Sequence, residues 1–215
     1  MEDLKKFIFL QSGRNHLSGK KHMHPNEYEL LYVVKGAGRV MIGAKLFPLM
    51  PDTLYVINGE DVHNIAPDEK TEYVRTILNL PKKYLHDLFA AAGASKTPHL
   101  LLQKGAVHFD VPTAIEMKKA FAAAYEAHGK NMLAFSAALL SLFSICLSVS
   151  VCPLPDMDDV ISAALSYIDR NITKKMTLDD IATHVYASKY TLCRKFKKSV
   201  GMTLGEYLLK RRILV

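Results

Sequence analysis

The sequence predicts an α+β protein: a small N-terminal β-barrel followed by helices, then an all-α helix-turn-helix domain. Three observations carry that prediction. Up to about Leu80 the chain breaks into short runs rich in Val, Ile, Leu and Tyr, set apart by Gly, Pro and Asp turns. Beyond Pro81 the apolar residues fall into helical spacing. Near the C-terminus two short helical segments are joined by a turn of three or four residues.

The strand candidates are ELLYVVKG, GRVMI, DTLYVING and EYVRTILNL, a spacing that fits a small sandwich or barrel. KKYLHDLFAAA, PTAIEMKKAFAAAYEAHG and NMLAFSAALLSLFSICLSV follow, all rich in helix formers. Residues 131–155 carry no charge, and 132–151 are long enough to cross a bilayer. However, Ser141, Ser144 and Ser148 recur at three- and four-residue spacing and lay a small polar stripe along one side. That stripe fits a helix packed between other helices or between two subunits. With no second span and no flanking basic loops, no membrane partner is expected. Cys152-Pro153-Leu154-Pro155 cannot continue a helix and reads as a linker. The expected division is therefore 1–80 for the barrel, 81–152 for a helical segment of the same domain, and 153–215 for the helix-turn-helix domain.

Four helical segments are expected past the linker. Val160, Ile161, Ala164, Leu165 and Ile168 mark the inward face of the first. Thr177 and Asp180 form a capping-box pair for the second, with Leu178, Ile181, Ala182 and Val185 inward. Ser188 is an N-cap for the third, anchored by Leu192 and Phe196. Gly201 ends it, and Thr203 with Glu206 opens the fourth.

The net charge is +7 over 215 residues. From Pro153 onward eleven Lys/Arg stand against seven Asp/Glu, so this short tail has the higher positive charge per residue. Lys189, Arg194, Lys195, Lys197, Lys198, Lys210, Arg211 and Arg212 are accompanied only by Glu206, which is the pattern of a phosphate-binding surface. In a helix-turn-helix the second helix, here SKYTLCRKFKK, enters the major groove. Arg194 suits a bidentate contact with guanine, and Lys189, Lys195, Lys197 and Lys198 suit phosphates. The three cysteines, Cys146, Cys152 and Cys193, show no CxxC spacing and fit a reducing compartment. The N-terminal stretch has too short an apolar run for a secretion signal, so a cytoplasmic protein is expected.

MTLDDIATHVYASKYTLCRKFKKSVGMTLGEYLLKRRI closely resembles the first helix-turn-helix of AraC/XylS-type transcription regulators. The shared residues are Leu178, Ile181, Ala182, Ser188, Leu192, Arg194, Phe196, Lys197, Gly201, Tyr207-Leu208 and Arg211-Arg212. By that resemblance Tyr190, Cys193 and Arg194 stand where the family reads base edges, although a thiol is a poor reader. The family carries two such units joined by a long helix, so the resemblance makes 153–215 a partial DNA-binding domain with one helix-turn-helix. Val215 falls inside that joining helix, so the second unit is expected to be absent and DNA affinity correspondingly reduced.

Further back, His22-Met23-His24 with Glu29 and Gly36 resembles the first cupin motif, and Pro51-Asp52 with Gly59 and His63 a weaker form of the second. Cupins are small β-barrels, and AraC-type regulators carry one as the effector-sensing domain. The HPNEYELLYVVKG stretch is similar to theirs. The resemblance implies a homodimer through helices within 112–151 and an effector pocket drawing on Arg14, His22, His24, Glu29 and His63. In metal-dependent cupin enzymes the positions of His22, His24, Glu29 and His63 supply the ligands, and this donor set suits Zn, Fe, Mn or Ni. Asp52, Asn58 and Glu60 depart from the Gly, Pro and Gly that such enzymes prefer. A metal-free pocket, a divalent metal in the barrel, and plain structural histidines therefore all stay open, and no cofactor is required. His16, His86, His99, His108, His128 and His184 show no ligand spacing and read as surface or helix-face residues.

The resemblance implies an effector-responsive bacterial transcription regulator that binds double-stranded DNA, senses a small molecule and is not an enzyme. The alternatives are a metal-dependent cupin enzyme, motivated by the four ligand types, and a truncated sensing and dimerisation module with little DNA affinity.

Overall fold

The computed structural model describes residues 9–14, 26–148 and 159–213. Within them, one antiparallel sheet sets β1 (Phe9–Arg14), β7 (Val74–Pro81), β2 (Glu27–Lys35), β5 (Thr53–Asn58) and β8 (Ala106–His108) side by side in that order. A second sheet holds β4 (Lys45–Leu49), β3 (Gly38–Ile42) and β6 (His63–Pro67). Alternation along the strands sorts the side chains into two layers. On β2, Tyr28, Leu30 and Tyr32 join the cluster under the helices, while Leu31 and Val33 face the second sheet. The inner layer is completed by Val40, Ile42, Leu49, Tyr55, Ile57 and Tyr73. The strand runs expected from the sequence are all found.

Four strands fall outside those runs: β1, β4 and β6 within the region read as barrel, and β8 beyond it. β8 interrupts the region read as helical and pairs with β5, His108 opposite Thr53 and Ala106 opposite Tyr55. Three residues are too few to show a period of two. His108 is therefore not a helix-face residue. It lies on this strand with Nδ1 2.9 Å from the Thr53 hydroxyl.

α1 (Lys82–Ala91), α2 (Thr97–Lys104), α3 (Val111–Ala127) and α4 (Met132–Ser148) cover the outer face of the five-stranded sheet. Asp110 caps α3 by accepting a hydrogen bond from the Thr113 N–H, and Pro112 occupies its first turn. The Lys118 ammonium, 2.8 Å from the Asp52 carboxylate, ties α3 to the barrel rim. α4 buries Phe135, Leu139, Leu142, Phe143 and Cys146 and leaves Ser141, Ser144 and Ser148 exposed, as the serine spacing anticipated. Burial pushes the Cys146 thiol up to about 12, so it stays protonated and inert. Among the described residues no helix is long and apolar enough to cross a membrane.

α5 (Asp159–Asn171), α6 (Leu178–His184), α7 (Lys189–Val200) and α8 (Leu204–Ile213) form the C-terminal unit. The linker expected at residues 152–155 lies outside the described residues. Ile161, Ala164, Leu165, Ile168, Ile181, Leu192, Phe196 and Tyr207 build its core. Thr177 and Asp180 make the reciprocal capping box, and the Ser188 hydroxyl accepts from the Thr191 N–H. Leu178 departs from expectation. It is 39% exposed and lines a hollow beside α7 rather than the core.

Candidate effector pocket and nucleic-acid interface

The inner face of the barrel gathers polar residues in an otherwise apolar layer. Glu29 on β2 and His63 on β6 come together, with His63 Nε2 3.8 Å from a Glu29 carboxylate oxygen and both side chains largely buried. His63 Nδ1 lies 2.9 Å from the Asp61 carbonyl, which can only accept, so Nδ1 carries a proton and Nε2 is aimed at Glu29. An imidazole oriented in this way by a carbonyl is presented as a metal ligand would be. Two donors nevertheless fall short of the three or four of a zinc-type site. Among the described residues no cluster of three His, Cys, Asp or Glu side chains exists. His22 and His24 lie outside the described residues. Arg14 ends β1 with its Cα opposite Val74.

The sequence reading missed three residues of this interior. Arg75 and Asn79 on β7, and Tyr73 just before it, are all at least nine-tenths buried. Asn79 stands opposite Glu29 in the β2–β7 register, and Arg75 opposite Val33. The guanidinium carbon of Arg75 sits 5.1 Å from the centre of the Tyr73 ring, a cation–π contact. Burial raises the Tyr73 hydroxyl above its ordinary range, so it remains a donor. The signal was present in EYVRTILNL: an arginine and an asparagine at alternating places face the same way as Ile77.

The second candidate surface is α7. At about 100° per residue, Leu192, Phe196, Ser199 and Val200 point into the core, and Tyr190, Arg194, Lys197 and Lys198 project on the opposite side. Tyr190 is 77% exposed, and Arg194, Lys197 and Lys198 are exposed as well. Cys193 is half-buried at the edge of that face. Lys189 and Lys195 lie on the flanks, Lys189 with its ammonium 2.6 Å from the Asp179 carboxylate. A hollow of ≈ 430 Å³ runs beside the helix, lined among others by Leu178, Cys193, Arg194 and Gly205.

The two sites meet across the three-stranded sheet. Its inner face holds Val40, Ile42 and His63, and its outer face holds Met41, Asn64 and Ala66. Met41 and Val62 belong to the apolar core of the C-terminal unit. Asn64 Nδ2 donates to the carbonyl of Val200, the last residue of α7, at 2.7 Å. The Tyr207 hydroxyl donates to the Gly43 carbonyl at 2.9 Å. Gly201 is left-handed, with φ 73, and a Cβ there would stand 2.3 Å from Asn64 Nδ2. The helix stop thus also lies close against the barrel, where a side chain could not fit. Nearby, Arg211 on α8 pairs with Asp169, and burial raises the Asp61 carboxyl against the opposing pull of Arg211.

The profile described as "AraC-like ligand binding domain" matches residues 7–143, and that of "Bacterial regulatory helix-turn-helix proteins, AraC family" matches residues 168–209. The chain belongs to the AraC family. Over 54 residues, 25% of this chain and 40% of that protein, it is 50% identical to the HTH-type transcriptional activator AarP of Providencia stuartii. Over 211 residues, 93% of this chain and 66% of that protein, it is 24% identical to the uncharacterized HTH-type transcriptional regulator YfiF of Bacillus subtilis (strain 168). The chain thus covers less than two thirds of either relative. Among solved structures, the AraC-like transcriptional activator CuxR aligns over 95% of this chain and 72% of that one, at 12% identity and a TM-score of 0.38. This AraC-family chain therefore carries a ligand-binding segment followed by a helix-turn-helix of the family's own type.

Proposed function

We propose that this AraC-family chain is an effector-responsive transcription regulator of the bacterial cytoplasm. Its α7 reads duplex promoter DNA, and its barrel interior takes a small molecule. One observation carries the reading: the three-stranded sheet presents His63 to the barrel interior and the adjacent Asn64 to the C-terminal carbonyl of α7. A ligand that moves the inner side chains of β6 must act on a strand that holds the DNA-binding unit. A ligand favouring one position of that strand shifts the population of helix-turn-helix orientations.

On the DNA side, Arg194 is read as the guanine contact, with Tyr190 and Cys193 beside it. Lys197 and Lys198 are read as phosphate contacts, with Lys189 and Lys195 flanking. The reading includes a homodimer through α3 and α4. α4 is free of charge along its length and leaves Leu133 81% exposed, and α3 leaves Tyr125 61% exposed. Two copies would place two reading helices on half-sites one helical turn apart. The chain is read as a non-enzyme, in keeping with the regulator names of its relatives.

Fluorescence anisotropy of the chain against its own upstream DNA and a shuffled control, at low and moderate salt, tests the reading. Selective binding that weakens with salt is the expected result. Weak binding without selectivity would leave a sensing and dimerising module in its place.

A further inference from the structure

A hollow of ≈ 420 Å³ opens at the turn between α5 and α6, lined by Ile172, Thr173, Lys174, Lys175 and Arg212. Ile172 is buried, and the three cations are exposed. Arg212 Nη2 donates to the Lys174 carbonyl at 3.5 Å, and the Lys174 ammonium donates to Asn171 Oδ1 at 3.3 Å. These bonds hold two of the three charges at the hollow and use one donor each, of five on a guanidinium and three on an ammonium. Among the described residues, the acids nearest in sequence are engaged elsewhere. Asp169 pairs with Arg211, Asp179 with Lys189, and Asp180 and Glu206 cap α6 and α8.

Exposed cations need no counter-ion to be stable, so what marks this hollow is its place. Gly205 on α8 lines the hollow beside α7 together with Arg194 and Lys197, while Arg212 on the same helix lines this one. Seven residues at 1.5 Å each set the two positions about 10.5 Å apart along α8. At about 100° per residue they share a face, about 160° and about 140° round from Tyr207. Tyr207 is the residue of α8 that meets the barrel, so this face is turned away from it. A Cβ at Gly205 would meet nothing within 4 Å. The start of α6 makes the same bridge, because Leu178 lines the hollow beside α7 and Lys175, three residues earlier, lines the other. No Asp or Glu lines either hollow. One strand of B-DNA rises about 3.4 Å per nucleotide, so about three nucleotides of backbone span the distance.

We propose that Lys174, Lys175 and Arg212 clamp the phosphate backbone of the duplex, about three nucleotides beyond the stretch that meets Lys197. The inference rests on the reading of α7 as the DNA-reading helix and extends the footprint to residues outside that helix. Arg212 offers a fork to two phosphate oxygens, the lysines offer point charges, and the Thr173 hydroxyl a neutral donor. Phosphate contacts carry no sequence information, so the clamp adds affinity and fixes orientation without changing the choice of bases. A small polyphosphate shares this chemistry. The duplex is favoured because the cations continue the exposed face that carries Arg194 and Lys197.

The test is anisotropy of the full chain on its own upstream DNA and a shuffled control, from about 50 to about 200 mM salt. Lys174→Gln, Lys175→Gln and Arg212→Gln are each expected to weaken both DNAs alike and to reduce the slope of log affinity against log salt by about 0.9. For each substitution, the affinity lost across that salt range then shrinks about 3- to 4-fold. Lys70→Gln removes an exposed charge from the barrel and leaves the slope unchanged. Unchanged slopes in all three variants, an equal change with Lys70→Gln, or a loss confined to the upstream DNA would each overturn the clamp. Saturable binding of inorganic triphosphate that Lys175→Gln abolishes, with the DNA slope unaltered, would reassign the hollow to a small polyphosphate. Wild-type DNA binding with unchanged variant slopes sinks the clamp alone, and a wild type without salt-sensitive DNA binding sinks the regulator with it.

Discussion

Tyr186, in the turn between α6 and α7, has φ 52 and a ring that is 99% exposed. A non-glycine residue in the left-handed region costs about 1–2 kcal/mol, and nothing in the packing of this ring offsets it. Glycine there removes the steric cost but adds about 0.5–1 kcal/mol of unfolded-chain entropy. Tyr186→Gly is therefore expected to be neutral to about 1 kcal/mol stabilising in chemical denaturation, and a clear loss would show that the ring has a partner. A second prediction concerns Asp180. Hydrogen bonds from the Thr177 backbone N–H, then from its hydroxyl, hold this exposed carboxyl below the ordinary aspartate value. A depressed folded value means stability that is present above the unfolded value and lost as pH falls through the folded one. Acid should thus loosen the start of α6, and Asp180→Asn should flatten that part of the stability profile. An NMR titration that places Asp180 at or above the ordinary value would refute this.

α7 separates two kinds of contact along one helix. Arg194, near the centre of the exposed face, has the fork geometry for a base edge, and Lys198 has a point charge for a phosphate. Arg194→Ala should cost about 1–3 kcal/mol on the preferred sequence and relax selectivity at one position. Lys198→Ala should weaken all sequences alike and lower the salt slope by about 1. Anisotropy titrations on cognate and shuffled DNA distinguish the two, and identical effects from both substitutions would remove the assignment. α4 shows the same logic for an apolar element. Ser141, Ser144 and Ser148 face outward while its phenylalanines fill the core, so its lack of charge follows from packing against α3 and the sheet, and no bilayer is required.

Across the whole molecule, one sheet is shared by two functions. Met41 and Val62 make the barrel part of the C-terminal core, and Asn64 and Tyr207 fasten it with two hydrogen bonds. The wild type should therefore unfold in a single calorimetric transition. Asn64→Ala combined with Tyr207→Phe, at about 0.5–1.5 kcal/mol per bond, should separate the barrel and helix-turn-helix transitions. Two transitions in the wild type would mean that the contact does not couple the units.

The sequence by itself determined the elements whose cause is local. The capping pair Thr177–Asp180, Ser188 before α7, and the left-handed stop at Gly201 follow from backbone chemistry within a few residues. The strand runs and the outward arginine and lysines of α7 follow from periodicity over one element. Glu29 and His63 were named together because a motif resemblance aligned them, and the fold brings them within 3.8 Å. Tertiary structure alone decided the rest. β8 is too short to carry a pattern, and it exists only because β5 offers an edge. Arg75, Tyr73 and Asn79 gain meaning from their burial on one inner face, which no run of letters displays. Leu178 fits an inward stripe, yet the neighbouring helices leave it at a rim. The fastening of α7 by Asn64 joins residues more than a hundred positions apart, and only the folded sheet places His63 and Asn64 on opposite faces of one strand that serves both sites.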